Sequence, residues 1–166
     1  MGIRHIPAHS PFGVLDTRFA GRVGDNRWNQ AGDPTCYIAS DTGVALAEFA
    51  RHFRERQDPA LGPLSIERAV FQLDVHVQLL LDLRQPSAHV ALGLHGGARR
   101  FLDAQVARAT ATFIRSTTEA EALLVPSVAF LDDPARWNLV LFLEKLPRDL
   151  REFITVTPKG TFRIAP

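Results

Sequence analysis

Residues 35–56 read TCYIASDTGVALAEFARHFRER, and the change of period inside this stretch sets the fold class. Thr35 to Ala39 alternates, which predicts a strand with Cys36 and Ile38 on one face and Tyr37 and Ala39 on the other. Ser40, Asp41 and Thr42 then supply three N-cap candidates. From Gly43 to Arg56 the apolar residues recur at helical spacing, with Leu46, Phe49, Ala50 and Phe53 as the expected buried stripe. On that helix Glu48 falls roughly opposite the stripe, beside Arg51 and Glu55, where a carboxylate is expected to be solvated. A strand that runs directly into an amphipathic helix is the joint of a mixed α and β structure.

Upstream, residues 1–34 are rich in Pro, Gly, Arg and Asp and predict an irregular lead-in with one short strand. Downstream, Gln57–Ser65 is a loop on its Pro and Gly content. Residues 69–83, AVFQLDVHVQLLLDL, alternate cleanly, placing Phe71, Leu73, Val75, Val77 and Leu79 on one face of a single strand. Gly93–Gly97 (GLHGG) predicts a loop and Ala98–Arg115 a helix. Ala122–Phe130 is a short apolar strand interrupted at Pro126, and 137–146 (WNLVLFLEKL) is another strand. The last segment, EFITVTPKGTFRIA, predicts a hairpin turning at Pro158 and Gly160. No repeat or linker divides the chain, so the expectation is one α+β domain over 1–166, a mixed or mostly antiparallel sheet with two main helices.

The 166 residues are 46% apolar and 22% charged, ordinary values for a folded domain. Nineteen basic against 18 acidic residues leave a formal charge of +1, no electrostatic reason for a nucleic acid or an anionic membrane as partner. The start of the chain lacks a signal-peptide pattern and nothing later approaches a membrane span. Cys36 is the sole cysteine, which excludes an internal disulfide and a thiolate metal cluster. These features fit a cytoplasmic protein. The six histidines are scattered, Pro7 lies between His5 and His9, and no metal site is expected. A nucleophile elbow, a phosphate-binding P-loop and a dinucleotide glycine fingerprint are all missing.

What remains is the block from Arg27 to Phe49. It holds a guanidinium suited to phosphate or carboxylate, the amide of Asn29, the phenol of Tyr37 and the carboxylate of Glu48. Read residue by residue, each has an ordinary explanation: a surface arginine, a core tyrosine, a solvated glutamate, and in Ser127 a strand-end hydroxyl.

The combination is more specific. The pattern RWN-x-x-G-x-P-x-x-Y-x-A-S, followed by A-L-x-E on a helix, resembles the signature of the RES domain family, named for its Arg, Glu and Ser. FQLDVHVQLLLDL is similar to the family's middle strand, and LLVPSVAF with NLVLF resembles its Pro-Ser segment and late strand. The resemblance spans about Arg22 to Leu146. It places the family's arginine on Arg27, its tyrosine on Tyr37, its glutamate on Glu48 and its serine on Ser127. The chain departs from the pattern at Asp25 and Asn26, where many members have Gly-Gly, and at Gln30 and Ala31, where a proline is common. If the loop needs positive φ at those glycines, Asp25 would be strained.

The resemblance implies a fold like the ADP-ribosyltransferases and a toxin of a bacterial toxin–antitoxin pair. Its members degrade NAD⁺ by cleaving the nicotinamide–ribose bond, with water or phosphate as acceptor. NAD⁺ is then a consumed substrate and no cofactor is expected. On this reading Arg27, Glu48 and Ser127 are catalytic, with Arg27 clamping the pyrophosphate or acceptor phosphate, Glu48 supporting charge at the ribose and Ser127 positioning a ribose or carboxamide group. Tyr37 and Asn29 belong to the substrate-binding set, Tyr37 packing on nicotinamide. The expected partners are NAD⁺ and an Xre-type antitoxin, with a homodimer conceivable. Two other readings use the same pocket: transfer of ADP-ribose to a macromolecule, and an inactive NAD-binding module.

Overall fold

The computed structural model of the chain describes residues 1–20, 24–56 and 66–164. The expected loop Gln57–Ser65 and the side chain of Phe53 lie outside the described residues. One seven-stranded mixed sheet organises the chain: β1 (Gly2–Pro7), β2 (Thr35–Ala39), β3 (Ile66–Val75), β4 (Leu80–Asp82), β5 (Ala122–Pro126), β6 (Trp137–Phe142) and β7 (Ile154–Ile164). Their order across the sheet is β4-β5-β6-β2-β1-β3-β7. Only β4 and β5 run parallel; every other neighbouring pair is antiparallel. Three α-helices are described: α1 (Thr42–Arg56), α2 (Pro86–Ala91) and α3 (Ala104–Thr117).

β2 fulfils the alternation read from its sequence. Cys36 and Ile38 enter one apolar cluster with Leu73, Leu139 and Leu141. Tyr37 enters a second, with Val140, Phe142 and the α3 residues Ala107, Ala111 and Ile114. Both faces of the central strands are therefore covered. Ala39, two residues beyond Tyr37 on the same face, packs with Ile3, Val44, Ala45 and Val70. Helices α1 and α3 thus sit on one face of the sheet, side by side over β2.

Helix α1 starts where the sequence indicated, with Val44 N–H donating to the Asp41 carboxylate at 2.9 Å as an N-cap bond. Its buried stripe is rotated from the expected one. Among its described side chains Val44 and Ala45 are buried, while Leu46, Phe49 and Ala50 are only half-buried. The apolar pattern alone misplaced the stripe because apolar residues lie on more than one side of this helix, and it is Val44 and Ala45 that meet Ile3 of β1 and Ala39 of β2. Glu48, four residues after Val44 and three after Ala45, consequently turns toward the sheet. Its side chain is 19% exposed rather than solvated.

Three other expectations change. The long alternation 69–83 is two strands, not one: β3 ends at Val75, the chain crosses, and β4 pairs with β5 at the opposite edge. The crossing is fixed by His76 N–H on the Phe153 carbonyl at 2.9 Å and Gln78 N–H on Glu121 at 2.6 Å. Period-2 hydrophobicity is the same before and after such a turn, and Leu79 ends half exposed. The segment around Pro158 and Gly160 is not a hairpin. β7 continues along all of β3, with a bulge where Val70 faces Gly160 and Phe71 faces Pro158. Lys159 is the extra residue and Gly160 takes φ 108°. The helix expected at Ala98–Arg115 is a 3₁₀ turn, Gly97–Leu102, followed by α3. Asp103 divides them by capping Gln105 and Val106 amides at 2.8 and 3.4 Å.

Candidate functional site

A cavity of about 800 Å³ opens on the face of the sheet that carries α1 and α3. The ladder register explains its floor. Ile3 pairs with Ala39, and Ala39 with Asn138, so their side chains share a face with Tyr37 and His5. Arg27, Tyr37 and Glu48 all line this one cavity, although the sequence placed Glu48 on the outer side of its helix.

The loop before β2 forms one wall. Asn26 and Asn29 form a small bridge, Asn26 N–H donating to the Asn29 carbonyl at 3.0 Å. Asn29 is buried, and its Oδ1 accepts from the Tyr37 hydroxyl at 2.7 Å and from Asn26 Nδ2 at 3.2 Å. The Tyr37 oxygen in turn accepts the Trp28 amide at 3.2 Å. Burial holds the Tyr37 phenol above its ordinary range, so it stays protonated and serves as a donor, not a base. Trp28 is buried against Phe101, ring centroids 4.9 Å apart. Arg27 gives its NH1 to the carbonyls of Phe101 and Leu102 at 2.7 and 2.9 Å, which fixes the plane of the guanidinium.

Asp25 and Asn26 carry no backbone strain. Positive φ falls on Gly24 (103°) and Gly32 (97°), and no described residue other than glycine has it. Asp25 is used instead as a tie: its carboxylate accepts the Ala31 amide at 3.0 Å and pairs with Arg108 of α3 at 3.3 Å. Arg108 Nε also donates to the Asn26 carbonyl at 3.0 Å. The loop is thereby fastened to α3.

Glu48 anchors the opposite wall. Its Oε1 accepts from Ser127 Oγ at 2.7 Å, and from the Ala129 amide and Asn138 Nδ2 at 3.4 Å. Its Oε2 pairs with Arg51 at 3.2 Å. Ser127 is wholly buried, so it reaches the cavity only through Glu48, and Asn29 likewise lies behind the lining. His5 supports this wall from below. Arg68 Nε donates to His5 Nδ1 at 3.0 Å, so the proton sits on Nε2, which faces the Ala45 carbonyl of α1 at 3.2 Å. The His5 ring meets Phe49 edge-on at 5.1 Å. Burial, with Arg68 beside it, lowers His5 to about 4, so the ring is neutral at ordinary pH.

Sequence reasoning missed Asn138, Arg51 and Arg108 as lining residues. Asn138 left a trace, an amide inside the otherwise apolar strand WNLVLF, where Asn is disfavoured. Arg108 left none, because its partners lie about 80 residues away. Among the described residues no group of three His, Cys, Asp or Glu gathers as for a metal. Among them, too, no helix is long and apolar enough to cross a membrane.

The chain resembles a solved chain of the M. tuberculosis MbcT–MbcA toxin–antitoxin complex, with a TM-score of 0.67 at 20% identity, covering 98% of this chain and 82% of that one. At that identity the likeness speaks for the fold. Comparison with curated proteins gave no match. The RES domain family model matches residues 3–164, a longer stretch than the motifs from Arg22 to Leu146. The chain therefore belongs to the RES domain family.

Proposed function

We propose that this chain is the toxin of a toxin–antitoxin pair and that it cleaves the nicotinamide–ribose bond of NAD⁺. One observation carries the reading: Arg27, Tyr37 and Glu48 line a single cavity of about 800 Å³, within the size range of small-molecule sites. The family membership and a structural relative taken from a toxin–antitoxin complex support it.

In the proposed reaction the bond between the ribose anomeric carbon and the pyridinium nitrogen breaks, and its electron pair leaves with neutral nicotinamide. Positive charge develops on the ribose, as in glycoside cleavage. Glu48, an anion fixed by Ser127, opposes that charge without having to reorganise. Arg27, its plane set by two carbonyls, offers a cation to the pyrophosphate or an acceptor phosphate. Tyr37 presents an aromatic ring, anchored through its hydroxyl, against nicotinamide. Water or phosphate then adds to the anomeric carbon and loses a proton to solvent. Asn29 contributes by holding Tyr37, and Ser127 by holding Glu48. The partner proposed to silence this chemistry is an Xre-type antitoxin covering the cavity.

The test is nicotinamide release from NAD⁺ by the purified wild type beside Arg27→Ala and Glu48→Gln. Release by the wild type and its loss in both variants is expected. A folded wild type that leaves NAD⁺ intact overturns the reading, and ADP-ribose found on protein instead of free redirects it to transfer. Expression without an antitoxin is expected to arrest growth.

A further inference from the structure

Three donors reach Glu48 Oε1, and they differ in exposure. Ser127 is wholly buried, and neither it nor Ala129 lines the cavity. Asn138 does. Its backbone is pinned in the middle of the sheet, paired with Ala39 on one side and Val125 on the other. Its side chain hydrogen-bonds Glu48 at 3.4 Å. A carboxylate can only accept, so the pairing fixes the amide with Nδ2 toward Glu48 and Oδ1 turned away. An asparagine in a central strand sacrifices β-propensity, and an aliphatic residue would fit the pattern of WNLVLF better. A cost kept at the lip of a cavity points to a task there.

We infer that Asn138 is a positioning residue for Glu48, a role that rests on the NAD⁺-cleaving reading. From the rigid sheet it holds Oε1 at the cavity edge, while Ser127 holds the same oxygen from behind. The direction in which the carboxylate meets a bound ligand is set between these two donors. Arg51, on the same helix as Glu48, moves with it and cannot fix that direction.

Two variants separate this role from space-filling. Asn138→Asp keeps the shape but replaces a donor by an anion facing Glu48; Asn138→Ala removes both. Nicotinamide release is expected to fall about tenfold for Asn138→Ala and about a hundredfold for Asn138→Asp, carried by kcat with KM within about threefold. The reverse order, Ala worse than Asp, would mean that volume matters and overturns the inference. A loss carried by KM would make Asn138 a ligand-binding group, which overturns it too. A second readout needs no activity. Asn138→Asp is expected to lower Tm by about 2–5 °C, and adding Glu48→Gln in the same chain to return most of it, because the like charges are gone. No return overturns the inference. Should Asn138→Asp fail to fold, recovery of folded protein in the double variant is the same supporting result, and no recovery the same refutation. If the wild type releases no nicotinamide, the functional reading falls, while the melting cycle still decides what Asn138 does to Glu48.

Discussion

On one wall of the cavity the Tyr37 oxygen is bonded to groups eight and nine residues away, Asn29 and Trp28. On the other, Glu48 takes its partners from 79 and 90 residues away, Ser127 and Asn138. The Tyr37 hydrogen bonds are neutral and local, while Arg27, Trp28 and Asp25 tie the same loop to Phe101, Leu102 and Arg108. The second wall requires β5, β6 and α1 to be in place together. The difference suggests a division of labour: the loop's bonds go into holding shape, and the Glu48 cluster goes into holding a charge ready. Loss of the Tyr37 hydrogen bonds should therefore register mainly as lost stability, and loss of the Glu48 carboxylate mainly as lost activity.

The largest effect should come from Glu48→Gln. We expect nicotinamide release to fall at least a hundredfold while Tm stays within a few degrees, measured by product chromatography and thermal melting on one preparation. A collapse of Tm in parallel would break the comparison.

Acid should act on the same wall through His5. Its folded value is depressed to about 4, below the ordinary 6.5, so the unfolded chain binds the extra proton first as pH falls. The stability from the neutral ring is present above about 6.5 and is lost on the way down to about 4, on the order of 2 kcal/mol after allowing for partial exposure. Urea melts at pH 7 and 4.5, on wild type and His5→Gln, check this. An unchanged pH slope in the variant would refute it.

Tyr37→Phe sharpens the comparison from the loop side. It strips the acceptor from the Trp28 amide and the donor from Asn29, and should cost about 1–2 kcal/mol of unfolding free energy. Activity should follow only as far as the ring shifts. Asp25→Ala should do least. Its carboxylate is half exposed, and such pairs contribute about 0–1 kcal/mol. Denaturant melting that shows a loss above about 2 kcal/mol would mean the tie to α3 carries more of the loop than its exposure suggests.

How much of this was legible in the sequence follows the same split. TCYIA announced its two faces because alternation is a local property and both faces are buried. Asp41 announced the start of α1 because a cap acts within three residues. The alternation at 69–83 misled, since period 2 carries no record of a change of partner strand between Val75 and Leu80. The hairpin expected at Pro158 misled because turn residues also make bulges, and β3 offered an edge long enough to keep β7 straight. Glu48 was assigned to the wrong side of its helix because the stripe was drawn through Leu46, Phe49 and Ala50, and periodicity alone does not say which apolar side meets the sheet; Val44 and Ala45 do.

The sequence by itself determined the strand-to-helix joint at 35–56 and the mixed class of the fold, and it named Arg27, Tyr37 and Glu48 as candidates. All of these depend on residue type and on spacings shorter than a helix. Only the tertiary structure decided that Glu48 faces inward, that Ser127 stands behind it, and that Asn138 and Arg108 belong to the cavity. Those contacts join residues some 80 to 90 positions apart. No local pattern encodes such a distance; it exists once the sheet has fixed which strands are neighbours.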